Sequence, residues 1–522
     1  MRRAAHAAVA ALATLAPASP GLAQDAGANP FTVDHAIDMT RVGQPELSPD
    51  GSRVLYTVTE LDWADNERDS RLWIADTDGA DVRPFTAEAG DGSARWSPDG
   101  RWVAFLRSAA EEEEGGSGGD GRQLWLIRTD GGEARQLTSH PSSVRGFEWT
   151  PDSERLVFVA NDTLPDDEEE RREAGYDAIF VNEAPNGQDR GSWSNLWWVP
   201  ADFEDAHARP VTAGDRIIGD FAVAPDGRRV AFTFRTENYR NAGYRSEIAL
   251  VEILDDEAAA ASPAEAGAGA EAGAGAGEGA DEAAPEPSPA DITVLTDNGA
   301  PESSLRWHPD GRLLFRAPDL ETWELDQGNF YLMDVGSREV EQLMPETALD
   351  VRDVRFTPDG RYLDFTALDR TVSSFYRLDL RSGAIRRMTE WTGMVGAASW
   401  SRDHDVVAFT FETPTAPAEL FTAPYRSGPE RTAITDVGAE IRALDLADAE
   451  VVRWQSADGL EIEGVLWRPP GGRERPRAFV LEIHGGPAGV FTQGFDSGAQ
   501  VLAAQGYAIL QPNVRGSTGY GD

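Results

Sequence analysis

Cysteine is absent from the 522 residues, and so is lysine. Without cysteine there are no disulfides, thiolate zinc sites, iron–sulfur ligands or cysteine nucleophiles. Without lysine the 47 basic residues are all arginine, set against 90 Asp and Glu for a net charge of −43. That charge excludes nucleic acid as a partner, because a polyanion is repelled rather than steered in. An arginine-only acidic surface would suit a salt-adapted protein, although biased genomic composition is the simpler reading. Only seven histidines occur. His6 lies in the N-terminal leader, while His35, His140, His207, His308 and His404 are scattered, read as surface residues in loops and turns, and have no metal-ligand spacing. No metal and no cofactor is implied. Long apolar runs are missing too: none reaches the ~20 residues of a membrane helix, which excludes stable membrane insertion.

What is present is a hydrophobic content of 40% with 15 Trp, enough for a sizeable core. The length calls for more than one domain, since single cores stop growing near ~250–300 residues. Residues 1–23 read as a secretory signal peptide. Arg2 and Arg3 form the basic start, residues 7–15 the apolar stretch, and Gly21-Leu22-Ala23 the small-residue cleavage site. The expected product is exported, and periplasmic or secreted after cleavage near Ala23; an uncleaved anchor is the alternative.

The middle of the chain repeats one turn. Trp96-Ser97-Pro98-Asp99-Gly100-Arg101-Trp102-Val103-Ala104-Phe105 is the clearest copy, and the aspartates of the copies are Asp50, Asp99, Asp152, Asp226, Asp310, Asp359 and Asp403. Proline fixes φ, aspartate bonds the backbone ahead of it and glycine supplies positive φ, so each copy is a hairpin turn. A second hairpin follows, as in Leu124-Trp125-Leu126-Ile127 returning through Arg135-Gln136-Leu137-Thr138. Four antiparallel strands per repeat predict an all-β seven-bladed propeller over residues 31–444. The aspartates are 49, 53, 74, 84, 49 and 44 residues apart, and the two long separations carry insertions. Residues 161–194, with Tyr176, Phe180 and Trp193 after an acidic run, read as an ordered insertion. Residues 256–291, rich in Ala, Gly, Glu and Pro, read as a disordered one inside a hairpin.

After residue 444 the repeat stops, and residues 445–522 read as the incomplete start of an α/β-hydrolase catalytic domain. A hairpin around Asp458-Gly459 precedes the apolar run 478–483, which enters the loop His484-Gly485-Gly486-Pro487. Residues 497–505 have helical spacing with Gly506 as a stop, and 507–510 form a second strand, implying a parallel pair. Glycines directly after such a strand let backbone N–H groups approach an oxyanion.

Seven blades followed by His484-Gly485-Gly486-Pro487 and Asn513-Val514-Arg515-Gly516-Ser517-Thr518-Gly519-Tyr520-Gly521 resemble the prolyl oligopeptidase family of serine peptidases. The nearest branch is the acylaminoacyl-peptidase and dipeptidyl-peptidase-like one. The resemblance implies that the propeller caps an active site for short peptide substrates. It implies that Gly485 and Gly486 form the oxyanion loop, with the Gly486 N–H as donor. His484, Pro487, Arg515 and Gly516 would shape the substrate-facing loops. The family's triad runs Ser, Asp, His, with the serine in a Gly-x-Ser-x-Gly elbow. The literal match Gly115-Gly116-Ser117-Gly118-Gly119 lies between acidic residues, without a preceding strand or a following helix, and reads as a linker. The catalytic Ser, Asp and His are therefore expected beyond Asp522, and this chain is expected to be an N-terminal fragment, inactive alone. The alternative is a non-catalytic propeller that binds partners and carries a vestigial hydrolase tail.

Overall fold

The computed structural model describes residues 29–108, 121–163, 174, 193–237, 245–254, 291–319, 328–345, 347–426, 428, 430–471, 476–486 and 488–521. The residues read as a signal peptide and as the Ser117 linker, nearly all of both expected insertions, and Pro487 lie outside the described residues. The described part is built from eight four-stranded sheets, of which the first seven are antiparallel throughout and succeed one another along the chain. The first sheet joins Arg41–Leu47, Arg53–Asp62, Glu67–Asp76 and Arg83–Pro84. The seventh joins Met394–Trp400, Val406–Thr413, Ala416–Pro424 and Thr432–Ala433.

The repeated turn links the first and second strands of each sheet. Its fourth residue has positive φ in all seven copies: glycine at 51, 100, 227, 311 and 360, but Ser153 and His404 in the other two. The aspartate closes the turn by accepting from the backbone two residues on, as at Arg101 N to Asp99 Oδ1, 3.0 Å, and Arg361 N to Asp359 Oδ1, 3.0 Å. Glu247–Glu252 pairs with Thr293–Val294, so the second insertion does sit inside a hairpin.

Alternation along the strands leaves each sheet apolar on both faces, and it is buried against two neighbours. Leu55, Leu72 and Ile74 of the first sheet pack with Trp96, Val103 and Phe105 of the second. Equivalent clusters join every successive pair up to the sixth and seventh, where Phe375 meets Val407 and Phe409. A last cluster packs Val42, Val54 and Tyr56 of the first sheet against Ala408 and Leu420 of the seventh. The series thus closes on itself. First strands adjoin first strands across these contacts, as Arg41–Leu47 does with Gly92–Trp96 and with Met394–Trp400. Fourth strands such as Arg135–Gln136 and Ala384–Arg387 lie exposed on the outside.

The eighth sheet runs Asp448–Gln455, Glu461–Arg468, Ala508–Asn513 and Phe479–Leu481 from edge to edge. The expected parallel pair is present: Phe479, Val480 and Leu481 oppose Ala508, Ile509 and Leu510. The helix between them, Ser497–Ala504, is capped by Asp496, whose carboxylate accepts from Ala499 N at 2.9 Å, and is followed by Gly506 at φ +92°. Ala499 and Ala503 of this helix bury against Val465, Trp467 and Ile509.

Candidate active site

The apolar edge strand Phe479–Leu481 delivers the chain into the loop that begins at His484. Gly486 takes φ +128°, and a Cβ there would lie 2.9 Å from Gly489 N, so the turn admits only glycine. The loop closes through Gly489 N to Gly485 O at 3.1 Å. Among the described residues the Gly485 and Gly486 N–H groups have no acceptor. Both residues are exposed, as donors held for an incoming oxygen must be.

The second loop, 513–521, is tied to the first. Asn513, 2% exposed, mimics a strand partner: its Oδ1 accepts from Phe491 N at 2.8 Å and its Nδ2 donates to Phe491 O at 2.9 Å. Thr518 N donates to Ala488 O at 3.3 Å, and the Thr518 hydroxyl reaches the same oxygen. Tyr520 receives Asn513 Nδ2 at 2.9 Å and donates to Glu463 Oε1 at 2.8 Å. Both loops rest on the 370–371 corner of the sixth sheet, through Arg370 N to Gly519 O at 2.9 Å and Gln493 N to Thr371 O at 2.8 Å. Sequence reading passed over Asn513, Tyr520 and Glu463 as individual positions. The cue was available in part, because a polar Asn ending an apolar strand must find partners when buried.

His484 lies 2.8 Å through Nε2 from Ser517 Oγ, and edge-on to Phe491 at a ring separation of 5.5 Å. This serine–histidine pair is not arranged for nucleophilic attack. Ser517 is 1% exposed and its hydroxyl donates to Val514 O at 2.7 Å, which leaves His484 as donor to the serine rather than base. Arg515 pairs with Asp458, both largely exposed, and Gly516 turns the chain at φ +84°. Of the expected loop residues, the structure brings His484, Gly485 and Gly486 together with Ser517 beside the 513–521 loop, while Arg515 is turned to the Asp458 hairpin.

Two of the other histidines depart from the surface positions expected of them. His308 is 5% exposed and bonds Gly360 O at 2.8 Å, between the fifth and sixth sheets. His404 bonds the fully buried Asp364 at 2.7 Å, between the sixth and seventh, with Arg377 on the same carboxylate at 2.6 Å. Both staple neighbouring sheets. A separate cavity of about 620 Å³, lined by His140, Asp162, Trp197 and His207, belongs to the second and third sheets and includes no residue of these two loops. Burial holds the His140 imidazole below its ordinary value.

No family model matches the chain. Among curated proteins, an uncharacterized peptidase of Bacillus subtilis (strain 168), YuxL, is 27% identical over 508 residues, covering 94% of this chain and 72% of that protein. Dipeptidyl-peptidase 5 of Porphyromonas gingivalis is 22% identical over 536 residues, covering 96% and 71%. Among solved structures, the Pyrococcus horikoshii acylaminoacyl peptidase superposes with a TM-score of 0.67 at 19% identity, over 94% of this chain and 68% of that one. An acylaminoacyl peptidase in complex with Z-Gly-Gly-Phe-chloromethyl ketone follows, with a TM-score of 0.66 at 19% identity, over 93% and 67%. The chain is thus similar in sequence to peptidases through almost its whole length, and it shares the fold of the acylaminoacyl peptidases.

Proposed function

We propose that the chain is the propeller and oxyanion side of an exported serine peptidase that hydrolyses short peptides through an acyl-enzyme. The observation that carries this reading is the glycine loop 484–486. It leaves a parallel edge strand with two unpartnered N–H groups, in a chain related throughout to peptidases. On this reading the seven closing sheets, within residues 31–444, are the blades of a seven-bladed propeller, and residues 445–522 belong to the α/β-hydrolase domain. Gly486 N–H stabilises the tetrahedral oxyanion, and His484, Pro487, Arg515 and Gly516 shape the peptide's surroundings. The ligand of the second acylaminoacyl peptidase structure is a peptide chloromethyl ketone, which supports peptides as the substrate class.

Attack on the peptide then needs a serine, histidine and carboxylate in a nucleophilic arrangement, which the described residues of the two loops do not form. Among the described residues Ser517 and His484 are the one serine–histidine pair of the two loops, and the serine is buried with its proton committed to Val514 O. The 522-residue chain alone is expected to release no product from peptide anilides and to take no label from a fluorophosphonate probe. Labelling abolished by Ser517→Ala would overturn the assignment. Reading the source DNA past codon 522 tests the peptidase itself. A Gly-x-Ser-x-Gly elbow followed by Asp and His supports it, and a stop codon there leaves a propeller that only binds. For export, the mature protein is expected to begin at Gln24. An N-terminal sequence still starting at Met1 in the extracytoplasmic fraction would point to an uncleaved anchor instead.

A further inference from the structure

The residue four positions before each turn aspartate sits on the first strand of its sheet, at one level of the ring. Read around the seven sheets, these residues are Glu46, Arg95, Glu148, Ala222, Arg306, Arg355 and Ser399. Their flanking residues Leu47, Trp96, Leu305 and Val354 are buried in the cores between sheets, whereas the charged residues of five different sheets meet across the ring, Arg355 feeling the charges of Arg306, Glu46, Arg95 and Glu148. Arg95 and Arg355 are open to water there. The level is held by the neighbouring sheets: Trp96 Nε1 donates to Glu46 O at 3.0 Å, Trp149 Nε1 to Arg95 O at 3.4 Å and Trp307 Nε1 to Ala222 O at 3.0 Å.

The acids of this collar are engaged on one side. Glu46 pairs with Arg95 at 3.6 Å, Glu148 accepts from Val223 N at 2.8 Å, and nearby Asp220 accepts from Leu305 N at 2.7 Å. The cations of the fifth and sixth sheets are not. Among the described residues neither Arg306 nor Arg355 has a carboxylate within 4 Å. Arg306 spends one nitrogen on Leu305 O at 2.7 Å, and its Nε is buried with no partner. Their flanks at this level are Ala222 and Ser399, which offer no charge. Two guanidiniums on adjacent sheets, which feel Glu148 only at a distance and touch no carboxylate among the described residues, form a local exception to the field of a molecule of net charge −43.

We propose that Arg306 and Arg355 form a carboxylate-binding station on the axis of the ring, which takes the free terminal carboxylate of a peptide. Guanidinium forks match a carboxylate bidentately, and two of them facing a channel give such a group charge-assisted hydrogen bonds that no other residue at this level offers. The choice of a peptide as ligand rests on the peptidase reading; the anion preference rests on the collar alone.

The test is equilibrium binding to the whole 522-residue chain, read by calorimetry without turnover, so that its failure is separable from a failure of hydrolysis. The probes are N-acetyl-Ala-Ala and its C-terminal amide. The acid is expected to bind and the amide not, and Arg306→Gln or Arg355→Gln to raise the Kd of the acid about tenfold or more. Arg95→Gln, already paired with Glu46, should change it far less. Arg355→Lys keeps the charge without the fork and should lose part of the affinity, with its melting temperature unchanged. Equal binding of acid and amide, or Kd values unmoved in both Gln variants, would overturn the station. Acetate competing as well as the peptide acid would overturn the peptide as its ligand.

Discussion

The Ser97 hydroxyl is fully buried, donates to Asp99 Oδ1 at 2.6 Å and accepts from Trp102 N at 3.0 Å. Ser48, Thr150 and Thr357 do the same in their own turns. A second hydroxyl recurs at the end of several repeats: Thr138, Thr212 and Thr435 accept from Leu124 N, Leu196 N and Leu420 N at 2.9–3.0 Å. Ser97→Ala should therefore cost about 1–3 kcal/mol in denaturant unfolding, because it leaves a buried N–H without its acceptor. A loss below a few tenths would show that the turn stands on Pro98, Asp99 and Gly100 alone. Proline, aspartate and glycine made the turn legible in the sequence, since each has a conformational reason to be there. The hydroxyls were not legible as partners, because a serine two residues before an aspartate is common in loops of every kind. Nor did composition reveal that Ser153 and His404 would take the left-handed φ of the missing glycines, +66° and +56°. Those positions are held by the surrounding strands rather than by local preference.

At the scale of elements, the strand Phe479–Leu481 stands at the edge of the eighth sheet with one side paired. Phe479, Leu481 and Ile483, spaced two apart and so on one face, are 58%, 55% and 66% exposed. An edge that is both unpaired and apolar is a template for another strand. The 522-residue chain is expected to self-associate through it, with light scattering at micromolar concentration falling on Leu481→Lys while the melting temperature holds. Scattering unchanged in Leu481→Lys and in Phe479→Lys would place any association elsewhere. The helix and both parallel strands of this region were legible because an apolar run, a capping glycine and a second apolar run follow one another. The sheet order was not: Glu461–Arg468 pairs antiparallel with Ala508–Asn513, and this depends on Gly464. A Cβ on Gly464 would lie 2.8 Å from Gln511 O, a constraint that only the assembled sheet exposes.

For the molecule as a whole, two sets of carboxylates oppose each other in pH. The turn aspartates Asp50 and Asp359 are held below the ordinary carboxylate value by the Ser48 and Thr357 hydroxyls and then by backbone N–H groups. A depressed pKa contributes stability above the unfolded value of ~4, lost as pH falls through the folded one. Glu302 and Glu412 behave in the other sense, each pushed up to about 7 by burial. Glu302 is 4% exposed between Thr296 and Asn298, and Glu412 lies where the seventh sheet meets Gly494 and Asp496. Between their ordinary value and about 7 the folded chain keeps protons that the unfolded chain releases, so stability falls as pH rises through this window and levels off above it. The melting temperature should then peak near pH 5 and decline on both sides. A net charge of −43 adds self-repulsion on the alkaline side, which molar NaCl should relieve more at pH 8 than at pH 5. Glu302→Gln isolates the local effect from the global one. Relative to the wild type it should gain on the order of 2 kcal/mol between pH 5 and pH 8, with the salt response unchanged. A variant whose stability difference from the wild type is the same at both pH values would assign the alkaline decline to net charge alone.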